Sequence, residues 1–407
     1  MIKEICAVTV LANKLCMFLL LFSLARILGI ELYGVFSYHY AIITGIAAVA
    51  GESLSVALSR YVVLNSKNIS YKTSLNLMVW GGLVVGLLSV IISWTFPAPA
   101  SSYDAIDGYM MLGTFLLGFA CVCNLAVTGF MYALNTSKKW AIVLAAHGLL
   151  GLLLVVAVAK FEGQIETVVL ALALCTLIAP AFGFSMIKNS DTNTSLEAGW
   201  GFFSFREMWA LLSRSGVPAL AGSMLLGGPV HIVCLMMFAD ASLNVSEVGY
   251  FNIFFLFYIL VTVLPSALAS YVIVRLAGYG DGAGRLYLLF GALVSVVLPV
   301  LMVVSQDYWL CLLGDGFCGK RELLEYAALA GGAGLMTTII TQVLHSKNMT
   351  RVVFLASCLY AVVYLFSTLL ASLKGEMLAT DLFSSFLFAL AAQITVLIVL
   401  GARRLLK

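Results

Sequence analysis

Six side chains combine charge or titratable chemistry with apolar surroundings: Lys14, Glu52, Arg60, Arg214, His231 and Arg275. An ionisable group in the middle of an apolar helix costs about 2.5–3.5 kcal/mol on insertion scales, so each needs a reason to be there. Lys14 stands in VLANKLCMFLL and Glu52 in VAGESLSVALSR. At 1.5 Å of rise per residue both fall roughly 12–14 Å from the inner ends of their helices. Two readings stand. In one, the pair neutralises itself and holds two helices together. In the other, it forms a charged cavity wall where Glu52 takes up a proton or a sodium ion. Buried pairs rarely improve on apolar replacements, which favours the cavity.

The three arginines lie toward inner ends of apolar stretches. Snorkelling to the interface accounts well for Arg60 and Arg275. Arg214 is followed by Gly216, Pro218, Gly222, Gly227, Gly228 and Pro229, a run that predicts a bent helix with a basic foot. Such a helix suits a gate; small-residue packing is the competing account. His231 reads more readily as a hydrogen-bonded core residue than as a ligand. Two polar stripes at helical spacing, Tyr258, Thr262, Ser266 and Ser270, and Thr337, Thr341 and His345 with Gln342 beside them, are either interhelical hydrogen bonds or wetted walls.

Enzyme chemistry finds no foothold. There is no G-x-x-x-x-G-K-[ST] loop and no H-E-x-x-H, and His39, His147, His231 and His345 fall on different stretches. GYGDGAG at 278–284 has no preceding strand and reads as a turn. Cys121 and Cys123 point to opposite faces of a helix and make no metal pair. Cys311 and Cys318 share an outer loop, where a disulfide is chemically possible. No cofactor, metal or nucleic-acid partner is expected.

The elements that must position these side chains are apolar helices. The chain is 62% hydrophobic and 10% charged, far from the ~25% charged residues of soluble domains. Twelve apolar stretches, at about 5–28, 34–60, 73–95, 108–134, 140–159, 167–187, 209–238, 248–274, 286–304, 323–345, 351–371 and 381–401, can each cross a ~30 Å hydrocarbon core. They lack the period-2 alternation of barrel strands. The gaps alternate in charge. Lys3, Arg60, Lys67, Lys138, Lys139, Lys188, Arg285, Lys347, Arg351 and Arg403 share one side, while Arg26, Lys160, Lys320, Arg321 and Lys374 take the other with most of the acids. Lys and Arg stay cytoplasmic on insertion, so both termini are expected inside. No cleavable signal peptide is expected, because the first stretch reads as an anchor.

The longest inner interruption, 188–208, divides the chain into six-span halves at 1–187 and 209–407. Its WGFFSFREMW run reads as an amphipathic surface segment. The halves look duplicated. A shift of 215 positions places Gly34 on Gly249, Phe36 on Phe251 and Arg60 on Arg275. An even number of spans per half makes the repeats parallel, related by an axis along the membrane normal.

The stretch LARILGIELYGVFSYHYAI, through Ala25, Arg26, Leu28, Gly29, Tyr33, Gly34, Phe36 and Ser37, resembles a signature of bacterial polysaccharide transporters in the MOP flippase superfamily, including Wzx-type O-antigen flippases. LLGDGFCGKRELLEYAAL is similar to that family's Leu-Gly-x-x-Phe loop. The resemblance implies an all-α polytopic membrane protein, with two six-helix lobes in a V shape and spans one, two, seven and eight facing a cavity. It implies export of an undecaprenyl-diphosphate-linked oligosaccharide across the bacterial inner membrane by alternating access. Lys14 and Arg214 would then meet the diphosphate, and Arg60 and Arg275 would draw the head group to the inner mouth. A polysaccharide polymerase and a chain-length regulator are implied partners. A cation-coupled multidrug exporter of the same superfamily is the alternative; short outer loops weigh against a membrane glycan polymerase.

Overall fold

In a lipid environment a peptide group finds no water, so the chain has to satisfy its own N–H and C=O groups. The computed structural model describes residues 2–64, 71–98, 108–134, 137–188, 228–242, 244–279, 281–347 and 349–405, and every regular element among them is helical. The helices are α1 (Ile2–Leu64), α2 (Tyr71–Thr95), α3 (Gly108–Ala133), α4 (Ser137–Glu162), α5 (Ile165–Lys188), α6 (Gly228–Ala241), α7 (Val245–Tyr279), α8 (Asp281–Val304), α9 (Gln306–Leu313), α10 (Arg321–Ser346), α11 (Thr350–Ser372) and α12 (Ala379–Leu405). Ten helical stretches are long and apolar enough to cross a membrane. One of them, Leu11–Ser59, holds 49 residues, or ~74 Å of helix, enough for two crossings. The short α9 and a 3-10 turn at Asp315–Phe317 are additions to the expected spans and fold the loop before α10. Arg214, the segment 189–208 and most of the expected seventh span lie outside the described residues.

The first two expected spans are the arms of α1, and one residue separates them. Gly29 adopts φ 75° and ψ 168°, a left-side conformation that any Cβ would strain. The chain doubles back there. Phe18 packs on Phe257 with ring centroids 6.1 Å apart, and Ser37 bonds Asn252. Those two partners are five residues apart on α7, about 7.5 Å, whereas Phe18 and Ser37 would be about 28 Å apart on a straight helix.

The described residues form two compact units. Unit 1 gathers Met1–Met17, His39–Pro97 and Tyr103–Met224; unit 2 gathers Phe18–Tyr38, Ala98–Ser102 and Leu225–Lys407. Unit 1 closes around Leu54, Met78, Val122, Phe130 and Trp140, all buried. Its helices cross where side chains are smallest. Ser59 Oγ donates to the Gly129 carbonyl at 2.9 Å, and Gly129 lies directly against Ser55. Trp140 Nε1 donates to Thr128 Oγ1 at 3.0 Å, which places the indole N–H beside the same crossing. In unit 2 the start of α8, the end of α10 and the start of α11 share a core of Ile340, Val343, Leu344 and Val353.

Charge holds the starts of α7 and α12 in unit 2. Glu247, in the first turn of α7, accepts from Lys320 Nζ at 3.4 Å and from the Ala379 backbone N–H at 2.8 Å. The Lys320 ammonium also lies 4.1 Å from the centroid of Tyr250, whose hydroxyl donates to the Gly316 carbonyl. One carboxylate thereby ties the starts of α7 and α12 to the folded loop.

A methyl group on Gly129 would meet Ser55 O at 2.7 Å and Ser55 Cα at 2.8 Å, while one on Gly151 meets no described atom within 4 Å. Gly129→Ala is therefore expected to destabilise the protein by about 1–3 kcal/mol. Gly151→Ala should be neutral or stabilising by up to about 1 kcal/mol. Thermal unfolding of the two variants in detergent checks the contrast.

Candidate functional site

Unit 1 carries both deep charges named from the sequence. Lys14 is on the first arm of α1 and Glu52 on the second, and both side chains are exposed. Cys121 of α3 lies in the neighbourhood of Lys14 and Tyr40. Asn124 follows one turn along the same face of α3. Beside Lys14, Asn13 packs against Gly148 of α4, and a methyl group there would reach Asn13 Oδ1 at 2.5 Å. Asn13 Oδ1, Asn124 Oδ1 and His147 Nδ1 are buried polar atoms with no hydrogen-bond partner among the described residues. Lys14 thus presents an exposed ammonium, while the amide oxygens of Asn13 and Asn124 are buried with their acceptor capacity unused.

Unit 2 assembles its chemistry around His231. Tyr364 of α11 holds the imidazole through a 3.2 Å contact between its hydroxyl and Nδ1. Phe255 of α7 stacks on the ring at 4.5 Å and 17°. Phe251 and Phe386 flank it at 5.8 and 6.4 Å. Tyr258 and Tyr360 extend the cluster by packing edge-on to Phe386 at 5.0 and 6.2 Å. The helical spacing of Tyr360 and Tyr364, one turn apart, was a usable signal for this wall; Phe255 and Phe386 gave none. Arg60 and Arg275 lie on α1 and α7, but their side chains, like all of Arg214, are outside the described residues.

The polar stripes divide. Thr262, Thr337 and Thr338 donate to carbonyls of their own helices. Gln342 instead reaches across, donating to the Pro265 carbonyl at 2.8 Å and accepting from Tyr287 Oη at 2.6 Å. Cys311 and Cys318 are exposed free thiols. Among the described residues no group of three His, Cys, Asp or Glu is placed to hold a metal.

No protein-family model matches the chain. It is 24% identical over 383 residues to the EPS I polysaccharide export inner membrane protein EpsE of Ralstonia nicotianae, covering 89% of this chain and 85% of that protein. EpsE of Ralstonia solanacearum is 23% identical over 371 residues, covering 86% and 82%. Among solved structures, the lipid II flippase MurJ in an inward closed conformation superposes with a TM-score of 0.71 at 15% identity, over 97% of this chain and 87% of that one. An inward-facing multidrug resistance MATE family transporter of the MOP superfamily superposes with a TM-score of 0.70 at 13% identity, over 97% and 94%. The chain has the MOP-superfamily fold and is a distant homologue of EpsE. The proteins it matches are transporters, not enzymes.

On that fold His231 is a packed residue first. Tyr364→Phe removes one hydrogen bond and is expected to lower stability by about 0.5–1.5 kcal/mol. His231→Ala also removes the ring stack and should cost more. Thermal unfolding of the purified variants measures both; unchanged melting in each would strip His231 of its packing role.

Proposed function

We propose that this protein is a flippase of the bacterial inner membrane. Its substrate is an undecaprenyl-diphosphate-linked oligosaccharide, the repeat unit of O-antigen or another surface polysaccharide, moved from inner to outer leaflet by alternating access. The observation that carries the reading is the homology, spanning 89% of the chain, with a polysaccharide export inner membrane protein. The fold does not separate lipid-linked cargo from drugs, since MurJ and the MATE transporter superpose equally well. The sequence relationship favours the saccharide.

The chemistry of unit 1 agrees. A diphosphate needs a counter-charge where the dielectric is low, and Lys14 offers one. The unpaired atoms of Asn13 and Asn124 suit sugar hydroxyls. Arg214 is proposed to share the diphosphate, and Arg60 and Arg275 to draw the head group to the inner mouth. Glu52 takes part in the same wall. The halves 1–187 and 209–407 serve as the two lobes, with 188–208 as linker and both termini cytoplasmic. A polymerase and a chain-length regulator act on the exported unit.

Deletion is expected to strand lipid-linked repeat units on the inner leaflet, read by surface display and by labelling of outer-leaflet glycolipid; normal display would sink the proposal. Lys14→Ala should cut export tenfold or more at equal expression, and Lys14→Arg should retain most of it. Wild-type export by both would return Lys14 to a packing role.

A further inference from the structure

The 215-residue repeat has a physical counterpart inside unit 2, where the equivalent residues meet one another. A methyl group on Gly249 would lie 2.6 Å from the Ile30 carbonyl oxygen and 3.2 Å from Gly34 Cα. A methyl group on Gly34 would collide with the Val245 carbonyl oxygen. Ile30 and Val245 are themselves 215 positions apart, as are Gly34 and Gly249. Three residues on, Asn252 Nδ2 donates to Ser37 Oγ at 3.1 Å, again across 215 positions. Each glycine thus packs on the carbonyl that precedes the other by one turn. That reciprocity defines an isologous contact, with a local two-fold axis between Gly34 and Gly249.

At its centre the contact is glycine backbone against carbonyl oxygen beside one neutral hydrogen bond. The neighbouring clasp, by contrast, uses the Glu247 carboxylate and the Lys320 ammonium. Moreover, the doubled-back segment Phe18–Tyr38 continues at both ends into helices of unit 1. Rearrangement of those helices is carried along the chain to this contact.

We infer that Gly34, Ser37, Gly249 and Asn252 form a two-fold symmetric outer seam that transport parts and remakes, and that these four are positioning residues for export. The inference rests on the reading of the chain as an alternating-access transporter. The test uses the full chain in membranes, with Cys311 and Cys318 replaced by Ser, a protease site placed within 188–208, and the pair Ser37→Cys and Asn252→Cys. Oxidation should join the two fragments on a non-reducing gel. Export should fall at least tenfold and return on reduction. Adding Gly34→Ala or Gly249→Ala should lower the cross-linking yield by similar factors, and both together by no more than either alone, because one contact is being parted.

A second arm needs no cysteines. Ser37→Asn combined with Asn252→Ser exchanges the partners across the axis, so it should restore export that each single change lowers. Absent cross-linking, unequal glycine effects or failure of the exchange would remove the symmetric seam. Complete cross-linking with undiminished export would remove its parting in transport. Normal polysaccharide display in a deletion strain is a separate result. It overturns the substrate, while cross-linking yields and glycine equivalence still decide the seam.

Discussion

A peptide group inside hydrocarbon has no solvent partner, and most local features of this chain follow from that one constraint. Spans are helices, and the reversal between the first two is confined to Gly29, where the absent Cβ permits φ 75° without a long exposed loop. Hydroxyls follow the same rule. Thr44, Thr176 and Thr337 each donate to the carbonyl four residues back, so their hydroxyl protons make no demand on neighbouring helices. Helix contacts are then left to shape. Gly129 against Ser55, Gly148 against Asn13 and Gly249 against Ile30 bring backbones together where larger side chains would hold them apart.

Charge is spent at helix ends. The Glu247–Lys320 and Arg321–Asp307 pairs lie at the starts of helices of unit 2 and in the short segment between them, where a charged hydrogen bond is cheap to maintain. Within the helices of the same unit the work passes to neutral groups. His231 leans on Tyr364 and Phe255, and Gln342 joins Tyr287 to the Pro265 carbonyl. Lys14 and Glu52 depart from this pattern: both are charged and exposed within the long apolar run of α1, a placement that carries an insertion cost.

The fold was legible because the signals that define it are long. Runs of twenty apolar residues and the sidedness of Lys and Arg survive any detail of packing, and they located the arms of α1 and helices α2 to α5, α7, α8 and α10 to α12. Contacts were less legible because they depend on which helix faces which. Ser37 and Asn252 are unremarkable in sequence, and only the duplicated glycines nearby marked their region. The α9 segment hid in what the sequence presented as a loop, since QDYWLCLL is too short for its periodicity to separate from chance. His231 was readable as a core residue, but Phe255 and Phe386 look like any other apolar position. Inside the membrane an aromatic residue carries no surface to betray its partner.

The 215 offset sorts the chain in an instructive way. It pairs Gly34 with Gly249, Phe36 with Phe251 and Arg60 with Arg275. The ionisable residues inside the spans are not paired in kind. Lys14 corresponds to Pro229, Glu52 to Ala267, and His231 to Cys16. A charge within an apolar span carries an insertion cost of about 2.5–3.5 kcal/mol, and a second copy of it would carry that cost again. A glycine at a helix crossing carries none. Divergence at Lys14 and Glu52, beside identity at the glycines, is therefore what the cost of placing charge among apolar groups predicts: shape is repeated freely and charge is not.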